Sequence, residues 1–251
     1  MTRWEIALIA LAGVWAGTIN TVVGSGTLVT FPVLVALGYP PVTATTSNAI
    51  GLITGTITGA YGYRAELRGH GRRLVRYGVA SLFGAIGSTI LLLSLPADAF
   101  ETIVPVLVGL AVLLVAVQPL VTRRLRSRES PSSGRPWLLY PLIFAVGVYG
   151  GYFTAAQGIM LVGVMGLLLT DPLQRLNAFK NALAAVVNVV AGAIYAVVAP
   201  IDWWVVLILA VSSTVGGLLG ARVGRRLSPL VLRVVIVVIG VAAIVDLVLT
   251  A

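Results

Sequence analysis

Two short runs of small and polar residues interrupt long apolar stretches, and both runs could form a binding site. The first covers residues 20–27 (NTVVGSGT) and the second covers residues 154–158 (TAAQG). Glycine in such a run permits positive φ angles and leaves backbone amides exposed. A helix that begins there directs free N–H groups and the positive end of its dipole at the run, which favours an anion. Hydroxyl and carboxamide side chains would add neutral hydrogen bonds.

A single lysine could supply charge to this site. Lys180 is the only lysine in the chain and lies eight residues after Pro172, roughly 12 Å along a helix. A buried cation is costly in a membrane and indicates function, and a lysine, unlike an arginine, can lose its proton when desolvated. The alternative is that Lys180 snorkels to the interface. The predicted substrate-binding residues are Asn20, Thr21, Gly24, Ser25, Gly26, Thr27, Asn48, Gln157, Gly158, Lys180 and Asn181.

The composition indicates that membrane helices position these residues. The chain has 251 residues, of which 59% are hydrophobic and 10% are charged, and its mean hydropathy is +1.04. A soluble domain is near half apolar and a quarter charged. At about 20 residues per span, the length allows roughly seven or eight spans and leaves no room for a soluble catalytic domain. We therefore predict an all-α integral membrane protein.

The residue types argue against enzyme chemistry and metal binding. Cysteine is absent, which excludes disulfides and thiol chemistry. The one histidine, His70, lies in an arginine-rich loop, and the apolar stretches contain no paired carboxylates. We expect no cofactor, no metal ion and no catalytic activity.

The positive charge marks the orientation of the loops. Fourteen of the 17 basic residues fall within residues 64–76, 123–135 and 222–233, and the net charge is +9. The positive-inside rule places these clusters in the cytoplasm. The breaks at residues 38–41, 96–101 and 200–202 then lie outside, as do both termini. The clusters could instead bind anionic lipid or nucleic acid, but we expect no nucleic-acid partner, because all three lie directly at helix ends.

The apolar stretches divide into single spans and two longer segments. Single spans are expected over residues 42–63, 76–95, 101–121, 178–199, 203–221 and 230–249. The stretches 4–37 and 138–170 are longer than one span and contain the two polar runs. The arginine clusters fix the side of the membrane on which each segment begins and ends. By this count of crossings, each of the two long stretches ends on the side where it began. Each is therefore a helical hairpin, either re-entrant or made of two tilted crossings.

An internal repeat relates the two halves of the chain. A shift of 133 residues places Asn48 on Asn181, Gly84 on Gly217 and Pro96 on Pro229. The first repeat covers residues 1–122, an arginine-rich cytoplasmic linker covers 123–137, and the second repeat covers 138–251. Each half has one hairpin and three spans, so the second half is inverted relative to the first. Inverted repeats are typical of secondary transporters that bind substrate at the midplane.

Several segments resemble one family of permeases. Residues 19–32 (INTVVGSGTLVTFP) and 38–44 (GYPPVTA), with Ser47 and Asn48, resemble the signature of the sulfite exporter TauE/SafE family. Residues 149–153 (YGGYF), 156–158 (AQG) and 174–181 (QRLNAFKN) are similar to the second half of its members. Ser25 and Thr154 stand where many members have glycine. The resemblance implies a permease that exports sulfite or related sulfur-containing anions, including organosulfonates.

The residues leave alternatives to an alternating-access transporter open. A passive anion channel and a permease for an unrelated small carboxylate both fit the polar runs. A metal-ion permease is disfavoured, because the predicted site contains no carboxylate, histidine or thiol ligand. The chain has no nucleotide-binding motif, so a proton, sodium or the substrate's own gradient would drive transport.

Overall fold

The chain forms a bundle of helices. The computed structural model describes residues 1–126 and 136–223, with five further positions at 234, 236–238 and 241. These residues form helices and no strand, which confirms the predicted all-α class. The α-helices are α1 (Arg3–Val22), α2 (Thr27–Ala36), α3 (Pro41–Gly51), α4 (Ile53–Gly62), α5 (Gly71–Ser94), α6 (Ala97–Arg126), α7 (Leu139–Tyr152), α8 (Gln157–Leu168), α9 (Leu173–Val198) and α10 (Trp203–Val223).

Five segments of the described residues are long and apolar enough to cross a membrane. They are Arg3–Val22, Gly71–Ser94, Thr102–Leu120, Leu173–Val198 and Trp203–Arg222. The two predicted hairpins are the helix pairs α1–α2 and α7–α8, in which α2, α7 and α8 are shorter apolar helices. The predicted linker lies largely outside the described residues, although α6 continues to Arg126. The span predicted over 230–249 also lies outside them, apart from isolated positions.

The span predicted over residues 42–63 is two helices rather than one. Helix α3 ends at Gly51, Leu52 has φ −86° and ψ −3°, and α4 starts at Ile53. The Ser213 hydroxyl of α10 donates to the Gly51 carbonyl at 3.1 Å, so this carbonyl has a partner from another helix at the break. A sequence pattern cannot reveal this bond, because Ser213 lies 162 residues away.

Helices α1 and α10 pack closely through small residues. A Cβ atom on Gly17 would collide with the Ser213 carbonyl, and one on Gly216 would collide with the Val14 carbonyl. The Thr18 hydroxyl donates to the Gly216 carbonyl at 3.0 Å. Small residues at such crossings let membrane helices approach and hydrogen-bond. The first arm of the first hairpin is therefore fixed against the second half of the chain.

Helices α5 and α7 pack in the same manner, with the roles of the two halves exchanged. A Cβ atom on Gly84 of α5 would collide with the Phe144 carbonyl of α7, and one on Gly147 would lie 3.0 Å from the Ser81 carbonyl. The 133-residue shift maps α1 onto α7 and α5 onto α10. The first helix of each hairpin thus packs on a helix of the other half, α1 on α10 and α7 on α5. The shift relates these two pairs to each other. Such an exchange is what two related halves would produce, and the repeat itself stays a prediction.

Candidate functional site

The first polar run forms a break between α1 and α2. The amides of Val23 and Gly24 both donate to the Ile19 carbonyl, at 2.7 and 3.0 Å. Gly24 has φ +95°, a left-handed conformation that glycine adopts without steric cost. Since the chain turns away here, the carbonyls of Asn20 and Thr21 are left at the C-terminus of α1 for partners from elsewhere.

The second polar run forms the corresponding break between α7 and α8. Ala156, directly before α8, has φ +61°, and it is the only non-glycine residue with positive φ among those described. This conformation costs an L-amino acid roughly 1–2 kcal/mol. Ala156 is fully buried, so the surrounding packing holds it there. Left-handed residues stand 132 positions apart in the two breaks, at Gly24 and Ala156.

The two breaks touch each other. The Gly158 amide donates to the Gly24 carbonyl at 3.1 Å. A Cβ atom on Gly24 would lie 2.5 Å from the Gly158 Cα, so the contact requires glycine. The rings of Phe31 in α2 and Phe153 after α7 also meet edge to face, with centroids 5.2 Å apart. The predicted residues of both runs therefore lie at one place in the fold.

Lys180 reaches this place from α9. Its side chain is 1% exposed, and it is the one charged residue in the buried class among the described residues. The ammonium donates to the carbonyls of Thr21 at 2.9 Å and Asn20 at 3.2 Å. A cation is favourable at a helix C-terminus, where the dipole is negative. Lys180 therefore does not snorkel to an interface, and it binds the end of α1.

Asn48 and Asn181 fix the arms of the first hairpin. The Asn48 amide donates to the Thr27 hydroxyl at 3.1 Å, and the Thr30 hydroxyl donates to Asn48 Oδ1. The Asn181 amide donates to the Thr21 carbonyl at 3.3 Å. The two asparagines thus hold α2 and the end of α1, respectively.

The remaining predicted residues fall into three groups. Gly26 is packed against the Ala16 carbonyl of α1. The Thr21 hydroxyl donates to the Gly17 carbonyl within α1 at 2.9 Å. Ser25 and Gln157 are different, because Ser25 Oγ and Gln157 Nε2 are buried without a hydrogen-bond partner. Asn20 reaches the site through its backbone carbonyl.

Sequence reasoning missed several residues of the site. Thr30 lies three residues after Thr27 on the same face of α2, which is a signal that could have revealed its bond to Asn48. Phe31 and Phe153 have no such signal, because their contact joins two distant segments. The left-handed conformation of Ala156 could be inferred only by aligning it with Gly24 in the repeat.

An ion-pair cluster away from the breaks also escaped prediction. The Arg73 guanidinium of α5 makes a bidentate contact with the Asp171 carboxylate, at 2.6 and 3.1 Å. Arg175 donates to the same carboxylate at 2.9 Å. Burial alone would raise the pKa of Asp171, but the hydrogen bonds from the two arginines outweigh it and hold this pKa below its usual value. The cluster joins α5 to the segment before α9.

Comparison with known proteins agrees with this helical architecture. A family model described as "Sulfite exporter TauE/SafE" matches residues 9–247. The chain belongs to the TauE/SafE family. It is a multi-pass membrane permease, and no group of three or more histidine, aspartate or glutamate residues that could hold a metal ion occurs among the residues described.

Relatives carry compatible names. A "Probable membrane transporter protein" of Haemophilus influenzae is 24% identical over 236 residues, covering 93% of this chain and 90% of that protein. "Probable membrane transporter protein YfcA" of Escherichia coli K12 is 27% identical over 220 residues, covering 84% and 76%. "Probable membrane transporter protein ORF9" of Sinorhizobium sp is 23% identical over 245 residues, covering 94% and 90%.

Proposed function

We propose that this permease is a secondary transporter that exports sulfite or a related small sulfur-containing oxyanion or organosulfonate. The touching helix breaks would form the substrate site, lined by the eleven residues predicted from the sequence. The observation that carries the proposal is the position of Lys180. Its buried positive charge lies beside the contact between Gly24 and Gly158, where the N-termini of α2 and α8 also begin.

The local electrostatics support an anion. The two carbonyls at the end of α1 share the ammonium of Lys180, and the N-termini of α2 and α8 add positive dipole ends. No aspartate or glutamate is in the buried class among the residues described. An incoming anion would therefore meet a positive charge that no buried carboxylate of these residues neutralises, whereas a metal cation would find no carboxylate, histidine or thiolate ligand there.

The family description supports the substrate class and the direction. The matched model is named for sulfite export, and the names of the three relatives state transport without a substrate. Sulfite and organosulfonates share a small, compact anionic group that neutral donors and one cation could hold. A small carboxylate would satisfy the same charge, and transport of acetate would favour that alternative.

Alternating access would separate the two breaks in turn. In the structure, the Gly24 and Gly158 backbones are in contact, with no room between them for an anion. Each first hairpin arm packs on a helix of the other half, α1 on α10 and α7 on α5. Rocking of the α1–α10 pair against the α5–α7 pair would therefore move Gly24 away from Gly158 and open space for an anion, as expected for transporters built from inverted repeats.

The arginine clusters support one orientation in the membrane. We propose that both termini lie outside and that the clusters at 64–76, 123–135 and 222–233 face the cytoplasm. The Arg73–Asp171–Arg175 cluster would then lie at the cytoplasmic end. A proton gradient, a sodium gradient or the substrate's own gradient would drive export.

Uptake into proteoliposomes tests the proposal. We would compare sulfite, thiosulfate, sulfoacetate, sulfate and acetate, using protein-free liposomes and a Lys180→Met variant as controls. Saturable uptake of one or more sulfur anions in preference to acetate supports the proposal. Uptake of acetate alone would identify a carboxylate permease, and absence of all uptake would refute the anion assignment. Single-channel currents would identify a passive conduit instead.

A further inference from the structure

Helix α10 comes from the second half of the chain but is joined tightly to helices of the first half. Besides packing on α1, it lies against α4, where a Cβ atom on Gly55 would lie 2.7 Å from the Ser213 carbonyl. The Thr54 hydroxyl of α4 donates to the Ala210 carbonyl of α10 at 2.7 Å. Asn48 in turn holds α2 on α3. We call α1, α2, α3, α4 and α10 the first bundle.

Helix α5 comes from the first half and is joined to helices of the second half in the same way. Besides packing on α7, it contacts α9, where the rings of Tyr77 and Phe179 meet edge to face with centroids 5.6 Å apart. The Arg73 guanidinium binds the Asp171 carboxylate just before α9. The Tyr195 hydroxyl of α9 donates to a carbonyl of α7 at 2.7 Å. We call α5, α7, α8 and α9 the second bundle, and α6 contacts both bundles, at α3 and α8.

Three buried side chains of α9 reach from the second bundle to the first. The Lys180 ammonium and the Asn181 amide donate to carbonyls at the end of α1. The Asn188 amide donates to the Thr56 hydroxyl of α4 at 3.4 Å. Asn181 and Asn188 are seven residues apart, which is about two helical turns, so they lie on the same face of α9. With the backbone contact between the two breaks, these bonds connect the bundles at what we call the bundle boundary.

The contacts within the bundles and the side-chain bonds at the bundle boundary differ in how easily they could part. Within the bundles, glycines lie against backbone carbonyls of the neighbouring helix, so the helices are held in close contact along their faces. At the boundary, the bonds are made by the polar ends of side chains, which can rotate to other partners. Asn188 Oδ1 is also buried without a hydrogen-bond partner. Parting of the bundles would let water reach this atom, which offsets part of the cost of opening.

We propose that this permease moves as these two mixed bundles rather than as the two halves of its sequence, and that Lys180, Asn181 and Asn188 make the contacts that part. The inference rests on the proposed function and names the moving parts of its transport cycle. An anion that binds the ammonium would compete for it with the α1 carbonyls, which would weaken the boundary when substrate is present. The chain passes between the bundles through residues 63–70 and 199–202. These two connections would absorb the movement, since the helices on either side of each belong to different bundles.

Cross-linking tests this inference, because the protein has no native cysteine. Two matched cysteine pairs start from α4: Thr56→Cys with Asn188→Cys joins α4 to α9, and Thr54→Cys with Ala210→Cys joins α4 to α10. Both pairs connect the two halves of the sequence, but only the α4–α9 pair connects the two bundles. A short bifunctional thiol reagent should therefore reduce sulfite uptake by the α4–α9 pair to the level of protein-free liposomes. The α4–α10 pair should keep its uptake, and each pair is compared with its own uptake before treatment.

Each other outcome of the cross-linking would overturn the inference. Loss of uptake in the α4–α10 pair, alone or together with the other pair, would show that α4 and α10 move apart and do not form one body. Retention of uptake in the α4–α9 pair would show that the bundle boundary does not part. If the wild type transports none of the anions tested, the proposed function fails and this inference fails with it. An α4–α9 pair that is inactive before treatment is replaced by Ile50→Cys with Gly192→Cys, since a Cβ atom on Gly192 would lie 3.6 Å from Ile50 Cα.

A second readout tests whether Asn188 holds the boundary closed. Without substrate, Asn188→Ala should raise the rate at which an acetylating reagent modifies Lys180, because the boundary would open more often. Thr54→Ala is the matched control, since it removes a hydrogen bond of α4 within the first bundle. It should leave the rate of Lys180 modification near that of the wild type. Equal rates in the wild type and Asn188→Ala would overturn this role of Asn188.

Discussion

The amide of Gly158 donates to the carbonyl of Gly24 at 3.1 Å, so the two helix breaks of this permease are joined by their backbones. The residues come from opposite halves of the chain, yet they approach until neither position has space for a Cβ atom. The rings of Phe31 and Phe153 also join the two hairpins, and the Lys180 side chain passes beside Gly158 and binds the end of α1.

Gly24→Ala should destabilise the protein by more than the strain of a left-handed alanine alone accounts for. Gly24 and Gly38 both have positive φ, at +95° and +87°, but no atom lies within 4 Å of a Cβ atom on Gly38. Both alanine variants should lose roughly 1–2 kcal/mol from the left-handed conformation. Gly24→Ala should lose about 1–3 kcal/mol more from overpacking against Gly158. Denaturant unfolding in detergent measures the difference, and equal losses would contradict the close contact.

Lys180 should resist amine-reactive reagents in the folded protein. It is the only lysine and is 1% exposed, whereas Met1, which carries the N-terminal amine, is 50% exposed. Treatment with an acetylating reagent followed by mass spectrometry should therefore modify the N-terminus first. Lys180 should become modified when the protein unfolds. In the folded protein, it should be modified faster during substrate transport than in the absence of substrate, since opening the breaks would expose it. Equal modification of both amines in the folded state would indicate that Lys180 lies at an interface.

Much of the helical framework follows from the sequence. Apolar lengths predict α5, α9 and α10 within a few residues, since a membrane span needs a long apolar run. Glycine and polar residues predict the breaks near Gly24 and Gln157, because they interrupt those runs. The family resemblance is confirmed by the model that matches residues 9–247.

The missed features depend on contacts between distant segments. The break at Leu52 coincides with a bond from Ser213 to the Gly51 carbonyl, and no local pattern encodes it. The partners of Lys180 are backbone carbonyls, which every residue carries, so residue types could not identify them. The pairing of Arg73 with Asp171 spans 98 residues. The sequence therefore predicts which residues could have a function, but their binding partners depend on how distant segments pack.

Asp171→Asn should reduce stability in a pH-dependent way. Its two arginine partners hold the pKa of Asp171 below its usual value, so the ionised form stabilises the folded protein. This contribution is fully present above the unfolded pKa of about 3.9 and is lost as the pH falls through the lower folded pKa. At pH 7 we expect a loss of about 1–3 kcal/mol. The difference from wild type should shrink below about pH 4.

Asp202→Asn provides the control for that measurement. Asp202 Oδ1 accepts from the amides of Trp204 and Val205 at the start of α10. Asparagine caps helices about as well as aspartate, so this variant should lose little stability at pH 7. Unfolding temperatures in detergent between pH 3 and 8 compare the two variants. An Asp171→Asn variant as stable as wild type at pH 7 would contradict the role of the ion pairs.

Single cysteines test the inverted topology. The protein has no native cysteine, and Arg68 and Pro200 are exposed at the chain segments that precede α5 and α10. The predicted repeat relates these segments, and the predicted inversion would place them on opposite sides of the membrane. A membrane-impermeant maleimide added to intact cells should therefore label Pro200→Cys and leave Arg68→Cys unlabelled until the cells are lysed. Labelling of both from the same side would contradict the inversion.

Counterflow of radiolabelled sulfite tests the central claim most directly, because it reports a carrier whose site faces each side in turn. Proteoliposomes loaded with unlabelled sulfite should take up external labelled sulfite faster than empty ones and should transiently accumulate it. A Lys180→Met variant that is folded by its circular dichroism should show no such stimulation. If internal sulfite does not stimulate labelled uptake, or if Lys180→Met behaves like the wild type, the touching helix breaks with their buried lysine are not the transport site.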